Sequence, residues 1–333
     1  MKENQAAGYL FEEEIRNLLE ESGFVDVRNE PLEGRGTNHE IDAYGIYSIP
    51  VPFTYPIRLI AEAKCYEDSI ELPLIRSFFG VVTDISENYF SRKGEKNVKA
   101  RFLDTGCFFA ANSFTKPSQD FAWAHNIFLV SFSGIEQMKA VVNNIRNFLQ
   151  EPEIKEMQSL NKEDLITHYQ IWKSNPLLTK ERSHSQYPSI VFGILDKIYP
   201  VVLVGNSGWH KQIRIPSDSD KIRGRKISRT PLPDATMFDI VVGNIQGHLE
   251  TFYFTVPNGI ADKLISKIEK TDAGNKIFEL DIPIIIWNSE KSVRRIISVD
   301  VVLTDNEREE YYQTIKGKPE QPRKKTRWEC IEL

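Results

Sequence analysis

Apolar and polar positions along this chain follow two different periods. Between Asn4 and Glu21, apolar Ala7, Leu10, Phe11, Ile15, Leu18 and Leu19 recur at helical spacing. Glu3, Glu12, Glu13, Glu14, Glu20 and Glu21 fill other positions, and Ser22-Gly23 stops the helix. Phe24 to Arg28 switches to the period of two that marks a strand. A turn-rich segment, Pro31 to Asn38, follows. Glu40 to Ile46 and Ile57 to Lys64 read as the second and third strands. Pro50, Pro52 and Pro56 between them make a stiff loop without strand pairing. Pro73 suits the first turn of a helix that runs to about Phe90, with Leu74, Phe78, Val81, Val82 and Ile85 apolar. The apolar run Thr105 to Asn112 predicts a buried strand. Gln119 to His125 predicts a short helix, Ile127 to Phe132 a last strand, and Ile135 to Leu149 an amphipathic helix.

From Glu151 to Lys180 the chain turns charged and helical, with Asn161 a cap ahead of Lys162. Glu181 to Pro188 is a polar boundary. The second half has strand patterns at Ser189–Leu195, Tyr199–Val204, Phe238–Val242, Glu250–Val256, Lys276–Asp281, Ile284–Trp287 and Val293–Leu303, with one helix at Gly259–Lys270. Lys316, Lys318, Arg323, Lys324, Lys325 and Arg327 form a basic tail. The expected division is an α/β unit at 1–150, a helical connector at 151–187, a β-rich domain at 188–315 and the tail at 316–333.

A length of 333 residues agrees with two domains. Contents of 41% hydrophobic and 27% charged residues describe an ordinary soluble globular protein. No run is apolar enough to span a bilayer, and the first residues, Met1 to Gln5, lack a signal-peptide core. The expectation is a cytoplasmic protein with no membrane partner. Cys65, Cys107 and Cys330 give neither a disulfide framework nor zinc spacing. The net charge of −5 means that any nucleic-acid contact must rest on local positive patches. Candidates are Arg35 and His39 around the glycine loop, the run Arg92, Lys93, Lys96, Lys99 and Arg101, and Lys211, Arg214, Arg223, Arg225 and Lys226 near Trp209. Each of these also reads as a solvated loop.

The chemistry concentrates between Gly34 and Lys64. Strand alternation puts Glu40 with Asp42, and Glu62 with Lys64. If the two strands pair, Asp42, Glu62 and Lys64 converge on one wet sheet edge. Two carboxylates and an ammonium there suit a hard divalent metal and an activated water. Taken alone, they equally describe a cross-strand charge cluster of little value to stability.

The pattern Asp42 … Glu62-Ala63-Lys64 resembles the PD-(D/E)XK nuclease signature, and the stretch from Gly8 to Ser131 resembles the Mrr-type restriction endonuclease family. Gly8-x-x-Phe11-Glu12, Ile75-Arg76-x-Phe78-x-Gly80 and the strand, turn, helix and strand from Phe109 through Val130 carry that resemblance. It implies an α/β fold, a restriction-endonuclease-like mixed sheet flanked by helices, followed here by the β-rich domain. It implies that Asp42 and Glu62 bind Mg²⁺, for which Mn²⁺ can substitute, with the Ala63 carbonyl completing the shell. Lys64 would orient the attacking water, and Glu12 would point at the metal; Glu12 also reads, like Glu13 and Glu14, as a solvated acidic face. The implied activity is phosphodiester hydrolysis in DNA, in restriction or anti-phage defence, with the β-rich half recognising a target or sensing a signal. Two other readings stay open: a nuclease silent until a partner protein or ligand binds the second half, and a nucleic-acid-binding protein with an inactive nuclease-like fold. Double-strand cutting by one site per chain would imply a homodimer.

Overall fold

Helix α1 (Glu3–Glu21) opens the chain, in a computed structural model that describes residues 2–47, 54–88, 100–156, 161–174, 189–205, 221–232, 235–243, 249–288 and 291–316. Leu10, Phe11, Ile15, Leu18 and Leu19 of α1 are buried, as its periodicity predicts. Gly23 follows at φ 89°, a left-handed position that favours glycine and ends the helix. Then come β1 (Val25–Arg28), β2 (Leu32–Glu33), β3 (Asn38–His39), β4 (Ala43–Tyr47), β5 (Ile57–Lys64), α2 (Leu72–Ser86), β6 (Leu103–Ala110), α3 (Lys116–Ala124), β7 (Phe128–Ser131) and α4 (Glu136–Leu149).

Five of these strands form one mixed sheet in the order β1-β4-β5-β6-β7. Pairing is antiparallel from β1 through β5 and parallel from β5 to β7. Strand β5 is central, so its side chains meet a core on each face. Leu59, Ala61 and Ala63 join the cluster beneath α1 and α4, while Ile60 joins Ile75, Phe78 and Val82 of α2. Gly106 on β6 lets α2 lie close, because a Cβ there would sit 2.6 Å from Ile127 and 3.0 Å from Val82.

The sheet differs from the sequence expectation in one place that matters. Pro31 to Asn38 is not simply a loop: β2 and β3 pair as a small hairpin. The second strand begins only at Ala43, so Asp42 lies just before it rather than within it. The cause is Asp84 on α2. Its carboxylate accepts hydrogen bonds from Gly36 N (2.9 Å) and Thr37 N (3.3 Å) and pairs with His39 Nε2 (2.8 Å). A Cβ on Gly34 would overlap that carboxylate.

Helices α5 (Pro152–Glu156) and α6 (Lys162–Ser174) follow. The second half contains β8 (Ser189–Leu195), β9 (Tyr199–Gly205), β10 (Lys221–Pro231), β11 (Ala235–Gly243), β12 (Leu249–Pro257), α7 (Asn258–Lys270), β13 (Lys276–Asn288), β14 (Lys291–Val302) and α8 (Asp305–Lys316). Among the described residues, seven strands close into a barrel in the order β10-β11-β12-β9-β8-β13-β14, with only the β10–β14 pair parallel. Phe238, Phe252, Phe254, Leu280 and Val299 share one buried cluster with Leu264 and Ile268 of α7.

Two further expectations change. Residues 221–226 belong to a strand, not to a hairpin loop. Gly224 and Ile227 face inward, and the basic residues between them hide the alternation. Lys276 to Asn288 is one strand that runs through Pro283, not two. The barrel packs on the first sheet's core: Ile190 and Val204 share a cluster with Leu10 and Phe11, and the Phe192 ring lies 5.8 Å from Phe24 and 5.1 Å from Phe128. Ile190 N also donates to Ser22 Oγ (2.9 Å). No described helix is long and apolar enough to cross a membrane.

Candidate active site

The site arises where β4 stops short of β5. Their pairing runs from Tyr47 opposite Ile57 to Ala43 opposite Ala61. Strand β5 continues for three more residues, held on its other side by Phe108, Phe109 and Ala110 of β6. The Lys64 carbonyl accepts from Ala111 N (3.0 Å) on that β6 side. Backbone groups of successive residues point in opposite directions along a strand, so the Ala63 N–H and C=O face the open edge. There the Ala63 N–H donates to Asp42 Oδ2 at 2.8 Å.

Glu62 and Lys64 share the α2 face of the sheet at this edge. The Lys64 ammonium lies 3.2 Å from Asp42 Oδ2 and 2.5 Å from Glu62 Oε1. The three side chains are 21%, 25% and 23% exposed for Asp42, Glu62 and Lys64, so each is partly stripped of water yet open to a ligand. Burial raises the Glu62 carboxyl above the usual range, the Asp42 charge adds to that, and Lys64 opposes it. Burial acts to lower the Lys64 ammonium, but Glu62 and Asp42 outweigh it and the net shift is upward. Lys64 therefore stays charged through neutral pH.

Glu12 reaches the same neighbourhood from α1. Burial raises its carboxyl, Lys162 opposes that, and the Asp42 charge adds to it. Lys162 Nζ donates to Glu12 Oε2 at 2.8 Å. That lysine opens α6, a segment the sequence marks only as connector. Glu13 and Glu14 are not a solvated face: they are 7% and 1% exposed. Glu13 pairs with Arg16 and accepts from Gln170 Nε2 (3.0 Å), and Glu14 accepts twice from Lys173 Nζ (2.8 and 3.0 Å). The available sequence signal was spacing: Lys162 and Lys173 lie three helical turns apart, facing three consecutive glutamates.

The structure brings Asp42, Glu62, Lys64 and the Ala63 main chain together. It does not bring Arg35 to them, because Arg35 pairs with Glu87 at 3.0 Å. His39 is turned onto Asp84. On β10, Arg223 donates to Glu307 (3.0 Å) and to the Val302 carbonyl (3.2 Å), and Lys226 pairs with Glu310 at 3.4 Å. Arg225 is exposed. Lys211, Arg214, the run from Arg92 to Lys99, Pro50, Pro52 and the tail beyond Lys316 lie outside the described residues.

Among the described residues, no group of three or more His, Cys, Asp or Glu side chains gathers as a metal cage. Two carboxylates beside an outward main-chain carbonyl nonetheless fit Mg²⁺, which uses one or two carboxylates and fills its other positions with water and substrate phosphate. The mutual repulsion of Asp42 and Glu62 is what a cation there would relieve.

A solved structure described as "Crystal Structure of Protein of Unknown Function AF1548" is similar at 16% identity, over 49% of this chain and 96% of that one, with a TM-score of 0.29. No curated protein sequence matches the chain. Residues 4–138 match the family model of the Mrr catalytic domain, described as a restriction endonuclease. These residues, which hold Glu12, Asp42, Glu62 and Lys64, match a nuclease-like domain of the Mrr restriction endonuclease type.

Proposed function

We propose that the chain is a Mg²⁺-dependent endonuclease that hydrolyses phosphodiester bonds in DNA, acting in the cytoplasm in restriction or anti-phage defence. The observation that carries this reading is the meeting of Asp42, Glu62 and Lys64 at the open edge of β5. Asp42, Glu62 and the Ala63 carbonyl would hold the ion, which when bound supplies positive charge for the phosphate and lowers the pKa of the attacking water. The chain's own residues do the rest. Ala63 N–H and Lys64 fix the orientation of Asp42. Lys64, as a permanent ammonium, orients the water and offsets the charge that the non-bridging oxygens gain in the transition state. The attacking water gives up a proton to solvent as its oxygen bonds to phosphorus, the bond to the leaving sugar oxygen breaks, and that oxygen takes a proton from solvent. The barrel, within residues 188–315, would read the target, and a homodimer would supply the second cut.

A second reading, a nuclease silent until a partner or ligand engages the barrel, is favoured by the acidic helix α8 tying up Arg223 and Lys226. The test is a variant series. Asp42→Asn, Glu62→Gln and Lys64→Met, each with native circular dichroism, should lower the cleavage rate about 100-fold or more. Native-rate cleavage by Lys64→Met would remove this site from consideration. Cleavage that appears only on adding a partner would select the second reading.

A further inference from the structure

Between the first sheet and the barrel lies a cavity of about 350 Å³. Trp123, Phe128, Asn112 and Ser133 line it on one side, and Val202 and Thr255 on the other. Its size falls at the lower end of small-molecule sites, and a junction between two folding units is a common place for one. The identities of the lining residues restrict what fits.

None of the residues lining the cavity is Asp, Glu, Lys, Arg or His. A phosphate, carboxylate or ammonium entering it would lose water without gaining a counter-charge, which costs far more than an uncharged group would lose. A ligand that fits here would therefore be neutral. The walls are largely aromatic and aliphatic, and the Trp123 ring is held against Tyr199 with centroids 5.6 Å apart and planes 32° apart. A fixed indole at a cavity wall suits a flat partner. The polar groups present are carboxamides and hydroxyls: Asn112, Gln119, Asn126, Ser133 and Thr255. The Asn126 carboxamide and the Thr255 hydroxyl make no side-chain hydrogen bond among the described residues, and carboxamides both donate and accept. They complement a ring edge that alternates donors and acceptors.

The geometry points to a binding site here for an uncharged planar heterocycle with an amide-type edge, of nucleoside size. This site stands apart from the Asp42 cluster in its residues and its chemistry, and the inference does not depend on the nuclease reading. It is nonetheless connected to that cluster. Ser131 Oγ donates to the carbonyl of Asn112 (2.9 Å), and the neighbouring Ala111 N–H holds the Lys64 carbonyl. A ligand that braces Asn112 and Ser133 against the barrel would slow exchange of the amides at the ends of β6 and β7.

The test is direct binding to the full chain. Adenosine, guanosine, cytidine and thymidine are titrated by calorimetry, each beside its 5′-monophosphate, and amide hydrogen exchange is followed for residues 110–112 and 131–133. At least one nucleoside should bind with a Kd in the millimolar range or below, its monophosphate about tenfold or more weakly, and exchange in both segments should slow. Trp123→Ala should weaken binding about tenfold or more. Because that variant also removes core packing, Ala235→Leu, which fills the cavity, serves as a second: it should abolish binding without lowering the melting temperature. Absence of binding by all four nucleosides, monophosphates that bind as tightly, or binding untouched by Ala235→Leu would each overturn the assignment.

Discussion

Replacing Lys173 by Met leaves the carboxylate of Glu14 buried without its cation. Glu14 is 1% exposed and Lys173 18%, and the two share hydrogen bonds of 2.8 and 3.0 Å. Removing one member of a fully buried ion pair costs about 3–5 kcal/mol, because the remaining charge keeps its desolvation penalty and loses its attraction. Lys173 is partly open to water, so the lower end applies, and the expected cost is about 3 kcal/mol. Removing both charges with Glu14→Leu and Lys173→Leu should recover most of that loss, since the stranded charge is the cause. Urea unfolding at neutral pH, followed by circular dichroism, reads both values from the midpoint and slope. A loss below about 1 kcal/mol for Lys173→Met, or a double variant no more stable than the single one, would refute the reasoning. The same pair fixes α6 against α1, and α6 brings Lys162 to Glu12.

Glu62→Gln should raise the melting temperature of the metal-free protein at neutral pH. A carboxyl held above its ordinary value adds stability only while protonated, and loses that contribution as pH rises through its folded value. The gain should therefore vanish in acid, and a gain equal at pH 4 and pH 8 would contradict the assigned cause. Thr304→Ala should cost about 1 kcal/mol in urea unfolding, because Thr304 and Glu307 cap α8 reciprocally: Thr304 N donates to Glu307 Oε2 (2.8 Å) and Glu307 N to Thr304 Oγ1 (3.3 Å). Arg225→Glu should weaken binding to a DNA duplex and reduce the slope of log K against log salt by about 1, and an unchanged slope would place β10 away from the phosphates.

Strong periodicity made α1, α2, α4 and β5 legible in the sequence, because each buries one well-defined stripe or face. Asp42, Glu62 and Lys64 could be grouped because strand alternation fixes which side chains share a face. That Asp42 precedes its strand could not be read locally, since it depends on Asp84, more than forty positions away, gripping the Gly34–Thr37 turn. Strand β10 was hidden because its outward face is a charge run and one of its inward positions is glycine. Helix α8 was missed for its scarcity of apolar residues, although Thr304-x-x-Glu307 is a helix-start signature. The burial of Glu14, and part of that of Glu13, needed α6 to be placed first, because Lys173 pairs with Glu14 and Gln170 adds to the Arg16 pairing of Glu13.

The most direct measurement is the fate of supercoiled plasmid DNA incubated with the purified chain in Mg²⁺ or EDTA, beside Glu62→Gln. Nicked and linear products that require Mg²⁺ and are lost in Glu62→Gln are the expected result. Cleavage that persists in EDTA, or that Glu62→Gln performs at the native rate, would contradict a catalytic centre at Asp42, Glu62 and Lys64.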